Sequence, residues 1–294
     1  MNPKPAWRVV CHPAQTAEMN MAIDEAISIA FSHGEGPPTL RLYRWSKPSL
    51  SIGSFQKIEP AWADLVKVAR FPLVRRITGG RALLHDREMT YAVVAGTRDP
   101  LFSEGIKGTF FAIARGLLAG LEQLGVEAEL HTPPRWCSVP PETIPRRSRC
   151  SVPPETIPRR SRRRPERGPD PLCFASTSWY EITARGKKLI GSAQKRSVSH
   201  FLQHGSLILE KNTTEGPLQR FISDHQIALS DLLPAYPPDK EMDAIFIKGF
   251  ERALRIELAP GDLTEEEMKT ADRLAHEKYG NDAWNWRRET EAGK

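Results

Sequence analysis

The chain has 294 residues, with 42 lysines and arginines against 36 aspartates and glutamates, a formal charge of +6, and 39% hydrophobic and 27% charged residues. A chain of that length and balance buries a substantial core, which excludes wholesale disorder. It contains no run of eighteen apolar residues and no apolar leader in MNPKPAWRVV, so neither a membrane span nor a secretory signal is expected, and a cytoplasmic protein is the default.

The charge excess is local. Residues 133–172 hold ten arginines against Glu142, Glu155, Glu166 and Asp170, and ten minus four accounts for the whole +6. The remainder is balanced, so nucleic acid is not an expected partner. The four cysteines, Cys11, Cys137, Cys150 and Cys173, show no CxxC spacing. Neither a disulfide framework nor a metal site is expected from them.

In chain order, residues 7–10 predict a strand and 17–31 a helix, with Met19, Ala22, Ile23, Ala26, Ile27 and Ala30 on one stripe. Asp24 and Glu25 within it read as a solvated or locally paired acidic face. Residues 39–43 and 50–55 read as strands, and 60–70 as a helix laid on the sheet. An apolar strand over 71–74 then runs into Arg75-Arg76, turns at Thr78-Gly79-Gly80, returns through 82–84, closes at His85-Asp86 and continues as a strand over 89–94. Guanidinium groups and backbone N–H groups exposed by glycine suit a phosphate or carboxylate. The absence of GxxxxGK[ST] excludes a Walker loop, and a Gly-Gly hairpin flanked by solvated arginines is the commoner alternative.

Residues 106–124 predict a core helix with Ile106, Phe110, Ile113, Leu117, Leu121 and Leu124 on its stripe and Gly125 as its stop. A strand over 126–130 follows. Then CSVPPETIPRRSR at 137–149 recurs word for word at 150–162. This proline- and arginine-rich tract has too little apolar surface to fold alone, so 133–170 is expected to be a disordered insertion.

The stretch 172–209 holds the expected chemistry. Cys173 precedes a hairpin that turns at Arg185-Gly186, with Lys188 on its second strand and then Gly191-Ser192-Ala193-Gln194, read as a small-residue turn. A thiol attacks an acyl group only as the thiolate, and a nearby ammonium lowers its pKa. Small residues beside Ser192 would let backbone N–H groups approach a substrate oxygen. Against this, a lone cysteine is more often a buried small hydrophobe. His204-Gly205 falls in an alternating strand over 200–209, where the histidine is either a strand polar group or a site residue. A helix over 242–254 and another capped by Thr264 follow, and Trp284 and Trp286 are expected to dock the tail.

Taken together, RRITGGRALLHDREMTYAVV, CFASTSWYEITARGKKLIGSAQKR, LQHGSLIL and EKYGNDAWNW resemble the biotin/lipoate protein ligase catalytic superfamily, and within it an octanoyltransferase branch. The resemblance implies an α/β fold, a mixed sheet with flanking helices akin to class II synthetase cores. The catalytic domain would span 1–254, interrupted by the insertion, with 255–294 a helical tail packed on it. The resemblance implies that Cys173 is the acyl-thioester nucleophile and that Lys188 lowers its pKa. Arg75, Arg76, Thr78, Gly79, Gly80, His85 and Asp86 would line the acyl and pantetheine pocket. Gly191, Ser192, Ala193, Gln194, His204 and Gly205 would complete the substrate-binding set.

The implied reaction is ping-pong transfer of octanoyl from acyl carrier protein to a lysine of the glycine cleavage H protein or another lipoyl domain. Neither a cofactor nor ATP is expected. Rival readings are an ATP-dependent lipoate–protein ligase, an octanoyl-H-protein amidotransferase, and a non-catalytic binder of acyl groups or carrier protein.

Overall fold

The computed structural model describes residues 6–58, 63, 66, 67, 71–131, 181–211 and 224–288. Cys173, both copies of the repeat with Cys137 and Cys150, and most of the helix expected over 60–70 lie outside them. The chain divides into residues 1–131 with 171–294, and residues 132–170; everything described belongs to the first unit.

Its main sheet is built from β1 (Ala6–Cys11), β2 (Thr39–Tyr43), β6 (Glu88–Gly96), β7 (Glu129–Leu130), β8 (Ile182–Ala184), β9 (Lys187–Arg196), β10 (His200–Ile208) and β11 (Glu257–Pro260). The order across the sheet is β11-β1-β2-β6-β10-β9-β8-β7. The β11–β1–β2 edge is parallel and the rest antiparallel. A smaller sheet pairs β3 (Ser49–Ile52) with β4 (Leu73–Arg75) and β5 (Leu83–His85), with β3 in the middle. The helices are α1 (Ala17–His33), α2 (Gly105–Gln123), α3 (Asp239–Leu254) and α4 (Glu265–Leu274).

Strand alternation divides the core in two. On β2 and β6, Leu40, Leu42, Tyr91 and Val93 join a cluster with α2 and α3, while Tyr43, Ala92 and Val94 join a second cluster with α1. Both sheet faces are thus covered, which is why β6 reads as a nearly continuous apolar run.

Helix α2 forms where periodicity predicts and stops at Gly125, whose φ of 75° suits glycine. Its buried stripe, however, begins only at Thr109, so Ile106 in the first turn is 55% exposed and not core as expected. Glycines make the closest contact: a Cβ on Gly116 or Gly120 would meet the rings of Phe250 or Phe246 at 2.6 Å.

Helix α1 is buried on most of its circumference, and Asp24 and Glu25 go in with it. The acidic face expected to be solvated or locally paired is instead an internal one. Glu25 accepts from Lys278 Nζ at 2.7 Å and from the Tyr279 hydroxyl at 2.6 Å, more than 250 residues away in sequence.

The tail is not helix alone, as expected, because it opens with β11, which covers the edge of β1 in parallel. Thr264 then caps α4 through a reciprocal bond with Glu267, which also takes both ends of the Arg8 guanidinium at 2.7 and 2.6 Å. Further on, Trp284 is buried and donates its indole N–H to Arg75 O at 2.8 Å, and Trp286 packs on the small sheet.

Candidate active site

The turn at Thr78-Gly79-Gly80 lies along the end of β3. Arg76 N donates to Ile52 O at 2.9 Å and Ser54 N to Thr78 O at 2.8 Å. The approach is so close that a Cβ on Gly53 would sit 1.9 Å from Gly80 O, and Gly80 itself has a φ of 95°. Glycine is therefore required at both positions.

The two arginines before the turn point to different tasks. Arg75 is buried with its guanidinium given to backbone carbonyls, Gln56 O at 2.7 Å, Gly53 O at 3.0 Å and Trp284 O and Asn285 O at 3.1 Å, so it clamps the C-terminal segment to the small sheet. It is not among the residues that line the cavity described below. Arg76 does reach the cavity, and there it donates to Ser51 Oγ at 2.6 Å and to Gly79 O and Arg81 O at 3.0 Å, shaping the turn from within.

Two imidazoles stand in matching hydrogen-bond chains. His204, on β10, places Nδ1 3.0 Å from Asp24 Oδ2 and Nε2 2.7 Å from Thr78 Oγ1, tying the sheet to α1 on one side and to the glycine turn on the other. His85, at the end of β5, places Nδ1 2.6 Å from Glu88 Oε1 and Nε2 2.5 Å from Ser51 Oγ. Its ring stacks on Trp45 at 3.7 Å between centroids. Burial pushes His204 below the ordinary imidazole value, so it is neutral at neutral pH despite the adjacent Asp24. Burial would raise Asp24, but Arg41 at 2.6 Å, then His204, bring it below the usual carboxylate range. Tyr43 is pushed well above its ordinary value by burial and then by Asp24, to which its hydroxyl donates at 2.9 Å.

Between these groups and β9 lies a cavity with about 390 Å³ of empty space, including its open mouth. Of the residues the sequence nominates, Arg76, Gly80, His85, His204, Gly191, Ser192, Ala193 and Gly205 line it. Thr78, Gly79, Asp86, Gln194 and Lys188 are not among the lining residues.

The segment 191–194 is strand, not turn. Ser192 pairs with Gly205 and Ala193 with His204, so the small residues form rungs of the sheet. Their size serves close approach there: a Cβ on Gly205 would meet Gly191 O at 2.4 Å and Ser192 Oγ at 2.7 Å. The preceding hairpin does form as expected, with Arg185 and Gly186 both at positive φ, 49° and 70°. Ser192 Oγ lies 2.7 Å from the Tyr91 hydroxyl, which accepts from Gln203 Nε2 at 3.0 Å, and Gln194 Nε2 donates to Gln203 Oε1 at 3.1 Å.

Lys188, on the same strand as the cavity wall, is wholly buried, and its Nζ lies 2.5 Å from Glu181 Oε1. A buried ammonium needs such a partner. Glu181, which sequence reasoning passed over, stands seven residues earlier at the entry to the hairpin. Also passed over were Asp24 and Glu88, which orient the two imidazoles, and Met21, Tyr43, Trp45, Leu83, Thr90 and Ser206, which complete the cavity. Glu88 stands only three residues after His85, but no local spacing links Asp24 to His204, 180 positions apart.

Curated proteins of similar sequence bear on the same region. The chain is 36% identical to the octanoyltransferase LipM of Kyrpidia tusciae over 96% of this chain and 99% of that protein. It is 37% identical to the octanoyltransferase LipM of Symbiobacterium thermophilum, over 96% and 98%. Among solved structures, lipoate-protein ligase A bound with ATP superposes with a TM-score of 0.69 at 22% identity, covering 96% of this chain and 98% of that one. A bipartite lipoate protein ligase from Thermoplasma acidophilum, solved with its E2 lipoyl domain, superposes with a TM-score of 0.67 at 20% identity, over 96% of each chain. These structures share the fold. The family model for the lipoyl protein ligase A/B catalytic domain matches residues 16–231, from the start of α1 to beyond the cavity strands, and with the near-full-length kinship this places the chain in that family.

Proposed function

We propose that this protein is an octanoyltransferase of lipoate biosynthesis, working in the cytoplasm through a thioester on Cys173. The observation that carries this reading is the wiring of the cavity. Among the described residues, each hydrogen-bonding side chain along it is already paired inside the protein. His85 and His204 are held at both ring nitrogens, Trp45 Nε1 donates to Thr90 Oγ1 at 2.8 Å, Thr90 and Ser206 donate to Glu88, and Ser192 is bonded to Tyr91. A cavity whose polar side chains are mostly engaged within the protein suits an apolar ligand, since a polar one would lose its bonds to water with little replacement.

In the proposed cycle the Cys173 thiolate attacks the carbonyl carbon of an octanoyl thioester carried by the phosphopantetheine of acyl carrier protein. The new C–S bond forms as the old one breaks, and the departing pantetheine thiolate takes up a proton. A lysine amine of a lipoyl domain, such as the glycine cleavage H protein, then attacks the enzyme thioester. The C–N bond forms, Cys173 leaves as thiolate, and the amine proton passes to solvent. Exchange of one thioester for another needs no nucleotide. In this reading the Lys188 ammonium, paired with Glu181, is the charge that favours the Cys173 thiolate. The Arg76–Gly80 segment and the Gly191–Ala193 rungs enclose the acyl chain.

Incubation with octanoyl carrier protein and a lipoyl domain, without ATP, tests the reading. Wild type should transfer octanoyl and Cys173→Ala should not, with the acyl-enzyme trapped on Cys173 by mass spectrometry. Lys188→Ala should lose about 10²-fold or more in kcat. Transfer that depends strictly on ATP and free octanoate or lipoate, or that survives Cys173→Ala, would overturn it.

A further inference from the structure

The cavity has a mouth and a floor. Gly80 is exposed and Leu83, Ser192 and Ala193 are half-buried, whereas Met21 and Tyr43 are buried. Most of the floor is locked. Tyr43 donates to Asp24 and lies 3.9 Å under the Arg41 guanidinium, and Trp45 is held by its stack on His85 and its bond to Thr90. Met21 has no polar anchor. It comes from α1, three residues before Asp24 and therefore on the same helix face, and it is only 3% exposed.

We infer that Met21 sets the length of acyl chain the cavity accepts, an inference that rests on the transfer reading above. The carbonyl must stay at the mouth, where a thioester carried by another protein can reach it, so the methyl end points to the floor. Depth then decides length, and an unbranched thioether that can change rotamer is the part of the floor whose size can be altered without breaking a hydrogen bond. Met21→Ala removes the Cγ, Sδ and Cε atoms and opens the floor to longer chains. Met21→Phe fills it and favours shorter ones.

The test is the kcat/KM for hexanoyl, octanoyl, decanoyl and dodecanoyl carrier protein, with calorimetric binding of the free acids beside it. One methylene in an apolar pocket discriminates about tenfold or more, so Met21→Ala should raise the decanoyl-to-octanoyl ratio by about tenfold, and Met21→Phe should lower it by as much. Ratios that stay within about twofold of wild type in the folded variants overturn the inference. If Met21→Ala does not fold, Met21→Phe, which leaves no void, decides alone. A wild type that transfers no thioester, while acid binding still shifts with residue 21, sinks the transfer reading and leaves the floor assignment standing.

Discussion

On the α2–α3 side of the sheet, contact is made by shape. Phe246 and Phe250 lie where Cβ atoms of Gly120 and Gly116 would come within 2.6 Å, and a Cβ on Gly249 would meet Gly120 N at the same distance. On the α1–α4 side it is made by buried charge. Asp24 holds Arg41, Tyr43 and His204, Glu25 holds Lys278 and Tyr279, and Glu267 holds Arg8. The cavity adjoins this second side, with Met21, Tyr43 and His204 among its walls. Close packing leaves no room for a ligand. Walls fixed by directional bonds keep their positions without filling the space between them, and that is what a site requires.

The most severe way to break this contrast is to remove Asp24. Asp24→Ala strips Arg41, Tyr43 and His204 of a common partner inside the protein, and loss of one member of a buried charged network costs about 3–5 kcal/mol. Chemical denaturation should show a midpoint shift of that size or no folded baseline. A shift under about 1 kcal/mol would mean that the network is not holding the fold.

Next comes the shape-packed side. Gly249→Ala presses a methyl against the backbone of α2, at 2.6 Å from Gly120 N and 2.8 Å from Gly116 O, and overpacking of this kind costs about 1–3 kcal/mol. Gly116→Ala meets a ring that can tilt, so in the same denaturation series it should cost less than Gly249→Ala.

A smaller effect sharpens the electrostatic half. The His204 imidazole is held below the ordinary value of 6.5 by burial, and burial, then Arg41, takes His12 down to about 4. Below pH 6.5 the unfolded chain binds protons at both positions that the folded chain refuses, so stability falls as pH falls from there. In His204→Gln the drop in melting temperature between pH 6.5 and about 4 should be shallower than in wild type. An unchanged slope would remove His204 from the account.

The smallest expected change is at the surface. Arg252 and Glu122 pair between α3 and α2 at 57% and 71% side-chain exposure, and Arg252→Ala should move stability by no more than about 0.5 kcal/mol. A larger loss would show charge contributing on the side that shape is held to organise.

Elements with a strong local signal were legible in the chain. Helix α2 with its Gly125 stop, the Thr264–Glu267 cap of α4, the hairpin at Arg185-Gly186 and strands β2, β6 and β10 all form where periodicity and turn chemistry put them. Tertiary demand overrode local signal elsewhere. The small residues at 191–194 suggest a turn, but a strand packed against Gly205 needs small residues equally. Ile106 keeps the stripe's spacing yet lies one turn ahead of the buried part of its helix. Arg75 and Arg76 are adjacent and chemically identical, and opposite strand faces send one to the C-terminal carbonyls and the other to the cavity.

By itself the sequence determined most of the strands and helices and, through four motifs in order, the family, because backbone preference and motif spacing are properties of neighbours along the chain. Only the tertiary structure decided which distant side chains meet: that Asp24 orients His204, that Glu25 takes Lys278 and Tyr279, and that Met21 lines the cavity. Buried polar groups need partners wherever the fold can supply them. Those partners are set by the crossing of strands and helices distant in sequence, a relation that no local pattern records.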